Sequence, residues 1–229
     1  QTGWAAGLYG TILKTTNSGA TWTSQVSGTA STIEQLCVAS ATKAWMVTSD
    51  GGILSTENGG TTWTLQTTSP PTTLNSICSL NATVGWVAGG AGKISKTTDG
   101  GATWTDQASG TTQQLNDIAF VDADTGWAAG NGGTIRMTTN GGATWTSQNS
   151  LTTENLQSID FQNSGHGYAV GLSNTILEYA TAHAVPIQLA SFVGIVLNEN
   201  TVQLDWRTIS EVNNYGFFVE RATGSPENF

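Results

Sequence analysis

Charged side chains are scarce in this sequence of 229 residues, making up 10% of it. Seven are Lys or Arg and 16 are Asp or Glu, so the formal net charge is −9. Nucleic acids and anionic membranes are bound through clustered cations, and we expect neither as a partner. No apolar run approaches the ~20 residues that span a bilayer, so we expect no membrane insertion. The sequence has no initiator Met or signal peptide, and both ends fall in strand-like segments; we expect a fragment or a processed product.

Cysteine is also scarce, and the two that occur do not identify the cellular compartment. Cys37 and Cys78 are 41 residues apart. A disulfide would require their Cα atoms to approach within ~7 Å, and we favour two buried free thiols. The chain is not of the disordered type, because nine Trp and 38% hydrophobic residues can bury a substantial core.

Tryptophan recurs with a period of 41 residues in two series, and Tyr168 continues the first. The first series is Trp4, Trp45, Trp86 and Trp127, and the second is Trp22, Trp63, Trp104 and Trp145. Each period holds four strand-length segments separated by turn residues, with no helical periodicity. Four antiparallel strands in about 40 residues are typical of one propeller blade. The sequence therefore predicts an all-β fold: a β-propeller over residues 1–181, with the Trp rings filling the space between blades.

Five blades are visible, and we expect the first and last to be incomplete. The first lacks its opening strand, since Gln1 lies just before Gly3-Trp4. The fifth keeps segments beginning at Leu156, Gly167 and Asn174, but it has neither the final turn nor the second Trp. Terminal repeats are commonly atypical, so the array is expected to end there.

A tight turn precedes each second Trp. It is built on Asn17, Asn58, Asp99 and Asn140. The Asn or Asp side chain can accept backbone N–H bonds, and the glycines that follow supply φ > 0. These turns resemble the Asp-box (bacterial neuraminidase repeat) pattern S/T-x-D-x-G-x-T-W. With the segment G-W-A-A-G-x-x-G-T-I, the chain is most similar to propeller repeats of the photosystem II stability and assembly factor type. That resemblance implies the fold; the photosystem role would require a basic surface, which five cations do not provide.

A different alternation begins after residue 181. Val202, Leu204 and Trp206 alternate with polar residues and predict one strand, and a second is predicted through Tyr215, Phe217 and Val219. Residues 182–229 are interpreted as a linker and the N-terminal half of a β-sandwich. Their sequence, beginning PIQLASFVGIVL, resembles the opening of fibronectin type III-like domains. These occur in secreted modular bacterial proteins, which implies a secreted or cell-surface bacterial location.

The resemblance to Asp-box proteins raises the possibility of glycosidase activity. A sialidase would use several Arg, and the chain has three: Arg136, Arg207 and Arg221. Other glycosidases require two facing carboxyl groups. Asp117 and Asp160 could project toward a central surface, but we favour ordinary strand or loop polar residues. We predict no catalytic residues and no enzyme activity.

Metal and cofactor sites are not predicted either. Asp122 and Asp124 could suggest calcium, but one repeat alone carries the pair and an Asx-type turn is favoured. His166 and His183 have no Cys or carboxylate partners at metal-ligand spacing.

Three functions are left open by the sequence. The leading one is a non-catalytic extracellular interaction or display module, whose ligand is a protein or a glycan. The second is a carbohydrate-binding propeller or part of a glycosidase, for which Tyr9 is the obvious loop aromatic. The third is a self-assembling structural protein, in which the incomplete terminal blade or half sandwich exchanges strands between subunits.

Overall fold

The computed structural model describes residues 1–68, 71–180, 189–198 and 201–208. The chain divides into one unit of residues Gln1–Ala180 and a second of Thr181–Phe229. Short segments of β-branched and apolar residues form the strands, and Gly, Asn and Asp form the turns between them. Within the described residues, helical structure is confined to three 3-10 turns, and no helix is long and apolar enough to cross a membrane.

The first unit contains five antiparallel sheets, one for each repeat. Sheet 1 consists of β1 (Gly3–Ala6), β2 (Ile12–Thr15) and β3 (Thr23–Gln25); sheet 2 of β4 (Ile33–Val38), β5 (Ala44–Thr48), β6 (Gly52–Thr56) and β7 (Thr64–Thr67); sheet 3 of β8 (Leu74–Ser79), β9 (Gly85–Gly89), β10 (Ile94–Thr97) and β11 (Thr105–Asp106); sheet 4 of β12 (Leu115–Phe120), β13 (Thr125–Gly130), β14 (Ile135–Thr139) and β15 (Thr146–Gln148); and sheet 5 of β16 (Leu156–Asn163), β17 (His166–Gly171) and β18 (Ile176–Ala180). Four-stranded blades with incomplete first and last members are confirmed. The five sheets do not close into a ring.

The opening strands of sheets 2 to 5, which are β4, β8, β12 and β16, lie side by side. Each contains a register shift near its start, for example between Leu115 and Asp117 in β12. Such a bulge changes the direction in which the following side chain points. The bulge residue of β12, Asn116, donates from Nδ2 to the carbonyl of Leu156 in the next sheet over 2.7 Å. The bulges therefore link neighbouring inner strands.

Four apolar clusters form the core, one between each pair of consecutive sheets. Trp45, Trp86 and Trp127 are fully buried at their centres, and Trp4 is nearly so. Trp86 stacks on Phe120 of the next sheet with ring centroids 3.6 Å apart. Trp127 is preceded by Gly126 because the ring of Phe120 on the inner strand crosses that position: a Cβ on Gly126 would lie 2.6 Å from Phe120.

The second unit contains an antiparallel pair, β19 (Leu189–Asn198) and β20 (Thr201–Thr208). Strand β20 covers the predicted strand through Val202, Leu204 and Trp206. The second predicted strand, through Tyr215, Phe217 and Val219, lies outside the described residues, as does His183. The sandwich interpretation of this part stays a prediction.

Candidate functional site

The Asp-box turns are closed by their own side chains. In sheet 3, Thr97 Oγ1 donates to Asp99 Oδ1 over 2.8 Å, and the N–H of Gly101 donates to Thr97 Oγ1 over 2.8 Å. The N–H and the hydroxyl of Thr103 donate to the Asp99 carboxylate over 2.9 and 2.6 Å. These bonds, the Thr103 hydroxyl first, lower the pKa of Asp99 to about 2. The turns around Asn17, Asn58 and Asn140 share this pattern. The acceptor oxygens are thus used within the turn.

The second Trp of a sheet packs against the preceding sheet. Its indole N–H donates to a Gln Oε1 at 3.2 to 3.4 Å, in the pairs Trp63–Gln25, Trp104–Gln66 and Trp145–Gln107. Trp22 belongs to the first sheet and has no preceding sheet among the described residues, and it is 45% exposed. The expectation that all eight Trp fill the space between blades is therefore wrong for Trp22.

A lysine crosses each of the first three sheet junctions. Its ammonium lies over the Trp of the first series, 4.6 to 5.4 Å from the ring centroid, and donates to a carbonyl of the next Asp-box turn. The three sets are Lys14, Trp4 and Gly59; Lys43, Trp45 and Gly100; and Lys96, Trp86 and Gly141. Three of the five cations predicted for the propeller are thus used in packing between blades.

Polar side chains of equivalent position form a network along the inner strands, which we call the inner-strand network: Gln35, Ser76, Asp117 and Ser158. Asp117 is 8% exposed and lies at its centre. The Ser76 hydroxyl is 2.7 Å from Asp117 Oδ1 and 2.8 Å from Gln35 Oε1. Asp117 Oδ2 accepts from the Ser158 hydroxyl over 2.7 Å and from the N–H of Ile159 over 2.9 Å.

Asp117 therefore differs from the ordinary polar residue expected from the sequence, because the bulge turns its carboxylate toward both neighbouring inner strands. The 41-residue spacing of the network residues was the available signal. The signal was concealed because the position carries three residue types, Gln, Ser and Asp. Asp160 lies on the same kind of strand and is exposed, so the structure does not bring the two carboxylates into one environment.

Most carboxylates of the described residues have a structural partner. Asp106 pairs with Lys93, Glu57 with Lys43 and Glu178 with His166. The carboxyl pKa values that shift are all lowered: that of Asp50 chiefly by the Ser31 hydroxyl, and those of Asp99 and Asp122 by hydrogen bonds within their turns. A general acid of a glycosidase requires the opposite direction.

The remaining candidate positions are also structural. Asp122 Oδ1 accepts from the N–H groups of Asp124 and Thr125, so the predicted Asx-type turn is confirmed. Cys37 and Cys78 are free thiols and are partly buried, and burial raises the pKa of Cys78 to about 11. No group of three or more His, Cys, Asp or Glu among the described residues could hold a metal ion.

One face of the array presents large apolar side chains to solvent. This loop face consists of the turns between the second and third strands of sheets 2 to 5, the equivalent turn between β1 and β2 of sheet 1, and the connections between consecutive sheets. Hydrogen bonds join the two sets, such as that from the N–H of Gly133 to the carbonyl of Glu154 over 2.8 Å. Its exposed apolar residues are Leu8, Tyr9, Val26, Leu151 and Leu172.

Two of these residues have unfavourable backbone conformations. Tyr9 and Leu151 both have φ 56 and are 83% and 89% exposed. The position of Leu151 is taken in earlier repeats by Gly28 and Gly110, and that of Tyr9 in the fourth repeat by Gly132. A non-glycine residue in this region costs about 1–2 kcal/mol, so neither side chain is placed there by folding requirements.

An open groove of about 950 Å³ lies on the same face in sheet 3. It is bounded by the turn at Gly90–Gly92 and by the connection at residues 107–113. The Lys93–Asp106 ion pair, with 2.7 Å between its charged atoms, forms part of its wall. The groove and the exposed apolar residues thus belong to one surface.

Comparison with known proteins supports the same fold. The family described as photosynthesis system II assembly factor YCF48 matches residues 105–180. Among solved structures, YCF48 from Cyanidioschyzon merolae is similar over 77% of this chain at 21% identity, with a TM-score of 0.64. A GH74 enzyme from Niastella koreensis is similar over 76% of this chain at 17% identity, with a TM-score of 0.59. An ancestral GH74 enzyme is similar over 76% at 17% identity, with a TM-score of 0.55. The shared fold is a β-propeller.

This chain spans 65% of that YCF48 chain, 35% of the Niastella enzyme and 29% of the ancestral one. No curated protein sequence matches it. The likeness thus establishes the architecture, and the activity must be argued from the residues of this chain.

Proposed function

We propose that this protein is a non-catalytic interaction module that binds a protein partner through the loop face. The observation that carries the proposal is the pair Tyr9 and Leu151. Each places a large apolar side chain in solvent at positive φ, where the sibling repeats that share this conformation carry Gly, Ala or Ser. Exposed apolar groups held in strained backbone are typical of binding sites. The groove in sheet 3 supplies concave surface on the same loop face.

The similarity to the YCF48 family supports an assembly or interaction role over an enzymatic one. The carboxylates agree with this, because Asp99, Asp117 and Asp122 are committed to hydrogen bonds within the fold. The exposed phenol of Tyr9 would also suit stacking on a sugar ring, and the GH74 fold neighbours keep a glycan ligand as the second candidate. A secreted or cell-surface bacterial location is proposed with it, on the low charge and the sequence of residues 182–229.

A peptide library displayed on phage and a glycan array, both probed with the purified chain, would test the proposal. Ligands that are selected should lose binding to a Tyr9→Gly, Leu151→Gly double variant. Glycine suits both backbone positions, so the variant should fold as well as the parent. A Val38→Thr variant is the control, since Val38 is an exposed apolar residue at the end of β4, away from the loop face.

Peptide ligands that bind the double variant as well as the parent would contradict the loop-face proposal. Binding to glycans alone, abolished by the double variant, would favour the carbohydrate-binding alternative.

A further inference from the structure

The junction between sheets 4 and 5 contains a cavity of about 390 Å³. Among the described residues, this is the one junction at which the later sheet lacks a fourth strand. The cavity is lined mainly by apolar and aromatic side chains of both sheets, including Trp127, Ile135, Gln148, Phe161, Leu177 and Tyr179. We call it the open junction.

The three preceding junctions show which group fills this position elsewhere. In each, the Trp immediately before the fourth strand of the later sheet donates its indole N–H to the Gln of the earlier sheet. Gln148 is the next Gln in that series and lines the cavity. In the sequence, Pro186 occupies the position one period after Trp145. Proline has no indole and no N–H to donate. The chain thus keeps the acceptor without supplying the matching donor at that position.

The cavity wall also contains a buried donor. Trp127 is fully buried, and its Nε1 makes no hydrogen bond within the described part of the chain. One junction earlier, Trp86 Nε1 donates to the carbonyl of Gly141, in the Asp-box turn of the next sheet, over 3.3 Å. Trp45 Nε1 likewise has no hydrogen-bond partner among the residues that the structure describes, but there Gly101 closes the site: a Cβ on Gly101 would lie 2.9 Å from the indole nitrogen. A buried donor without an acceptor is destabilising, because it has lost its hydrogen bond to water. An added Asp-box turn would remove that cost at Trp127.

The backbone at the open junction is also available for pairing. Strand β18 is the last strand of sheet 5 and has no second neighbour among the described strands. The equivalent strand of sheet 4, β14, pairs antiparallel with β15. An exposed edge of this kind can accept an extended peptide as a new strand.

We infer that the open junction binds an extended Asp-box strand of another polypeptide, of the type Asn-Gly-Gly-x-Thr-Trp-Thr. The strand pairs antiparallel with β18, and its Trp ring fills the cavity. Its indole N–H donates to Gln148 Oε1, and a carbonyl of its Gly-Gly turn accepts from Trp127 Nε1. Leu151 of the loop face also lines the cavity, but the inference is carried by Trp127, Gln148 and the edge of β18 and does not depend on the proposed function.

A synthetic peptide with the sequence of residues 138–148, carrying a fluorophore, is the probe, and the full chain is the receptor. Fluorescence anisotropy should show saturable binding. The same peptide with Trp145→Ala should bind at least about tenfold more weakly, because it loses the group that fills the cavity. In the protein, Gln148→Ala should weaken binding about five- to tenfold by removing the indole acceptor. Gln157→Ala, an exposed Gln of β16, is the matched control and should bind like the parent.

An NMR spectrum of the ¹⁵N-labelled indole N–H groups provides a readout that non-specific adhesion would not change. One indole signal of the protein should shift on saturation, as Trp127 gains an acceptor. The inference is overturned if the full chain shows no saturable binding up to about 1 mM. Equal binding of the Trp and Ala peptides, or an unchanged affinity of Gln148→Ala, would overturn it as well.

Discussion

Replacing Asp117 with Ala should destabilise the propeller unit more than any other single carboxylate replacement. The substitution removes the acceptor of the buried Ile159 N–H, which costs about 1–3 kcal/mol. It also removes charge-assisted bonds from the Ser76 and Ser158 hydroxyls. Part of this loss is offset. The Ser76 hydroxyl keeps its hydrogen bond to Gln35, and the Ser158 hydroxyl is exposed and can bond to water. The variant also avoids the cost of desolvating a buried carboxylate. We expect a net loss of about 2–4 kcal/mol.

Urea unfolding followed by Trp fluorescence measures this loss, and for a unit of this size it corresponds to about 4–16 °C in Tm. Asp117→Asn should cost less, about 1–2 kcal/mol, since one amide oxygen can still accept from Ile159. Asp160→Asn, on the exposed side of the next inner strand, is the control and should stay within about 0.5 kcal/mol of the parent. If Asp117→Ala unfolds at the same urea concentration as that control, the inner-strand network does not hold the sheets together.

Three further predictions concern the turns and junctions. Leu151→Gly should leave the free energy of unfolding unchanged or raise it by up to about 1 kcal/mol, because relief of the strain at φ 56 offsets the chain entropy of Gly; a loss above about 1 kcal/mol in urea unfolding would contradict this. Asp99 has its pKa lowered to about 2 from 3.8, so its contribution to stability is present above about pH 4 and is lost as the pH falls toward 2; Asp99→Asn should show a smaller drop in Tm over that range, and equal drops would refute the assignment. Lys96→Met introduces the residue found one period later, at Met137. It should lower the free energy of unfolding in urea by about 1–2 kcal/mol, because the ammonium loses its contact with Trp86 and its bond to the Gly141 carbonyl. No measurable change would mean that the cation does not stabilise this junction.

The 41-residue period was sufficient to predict the sheets, their strand count and the incomplete terminal members, because periodic Trp and turn residues are determined by local chemistry and packing. The Asp122 turn was predictable for the same reason, since its carboxylate bonds to N–H groups two and three residues away. Both kinds of feature depend on near neighbours in sequence or on exact repetition.

The inner-strand network could not be predicted in this way. Its members bond across blades, 41 residues apart, and a bulge in each strand determines where they point. The role of the lysines could not be predicted from the repeat, because they do not all occupy the same position in it. Lys14 and Lys96 are at equivalent positions, but Lys43 reaches its junction from the residue before β5. The exposure of Trp22 depends on whether another sheet packs against it, and this cannot be predicted from composition or from the spacing of the Trp residues.

The bond between the second Trp of one sheet and the Gln of the sheet before it has a consequence for synthesis. During translation, the packing of sheet 1 cannot be completed until Trp63 has left the ribosome, because that indole donates to Gln25. Sheets 2 and 3 wait in the same way for Trp104 and Trp145 of the sheets that follow them. The nascent chain therefore always carries one unsealed blade with apolar surface exposed, which is the species that chaperones recognise and that aggregates. A pause in translation just after the third strand of a sheet would prolong that state, whereas a pause after the fourth would allow the preceding blade to close.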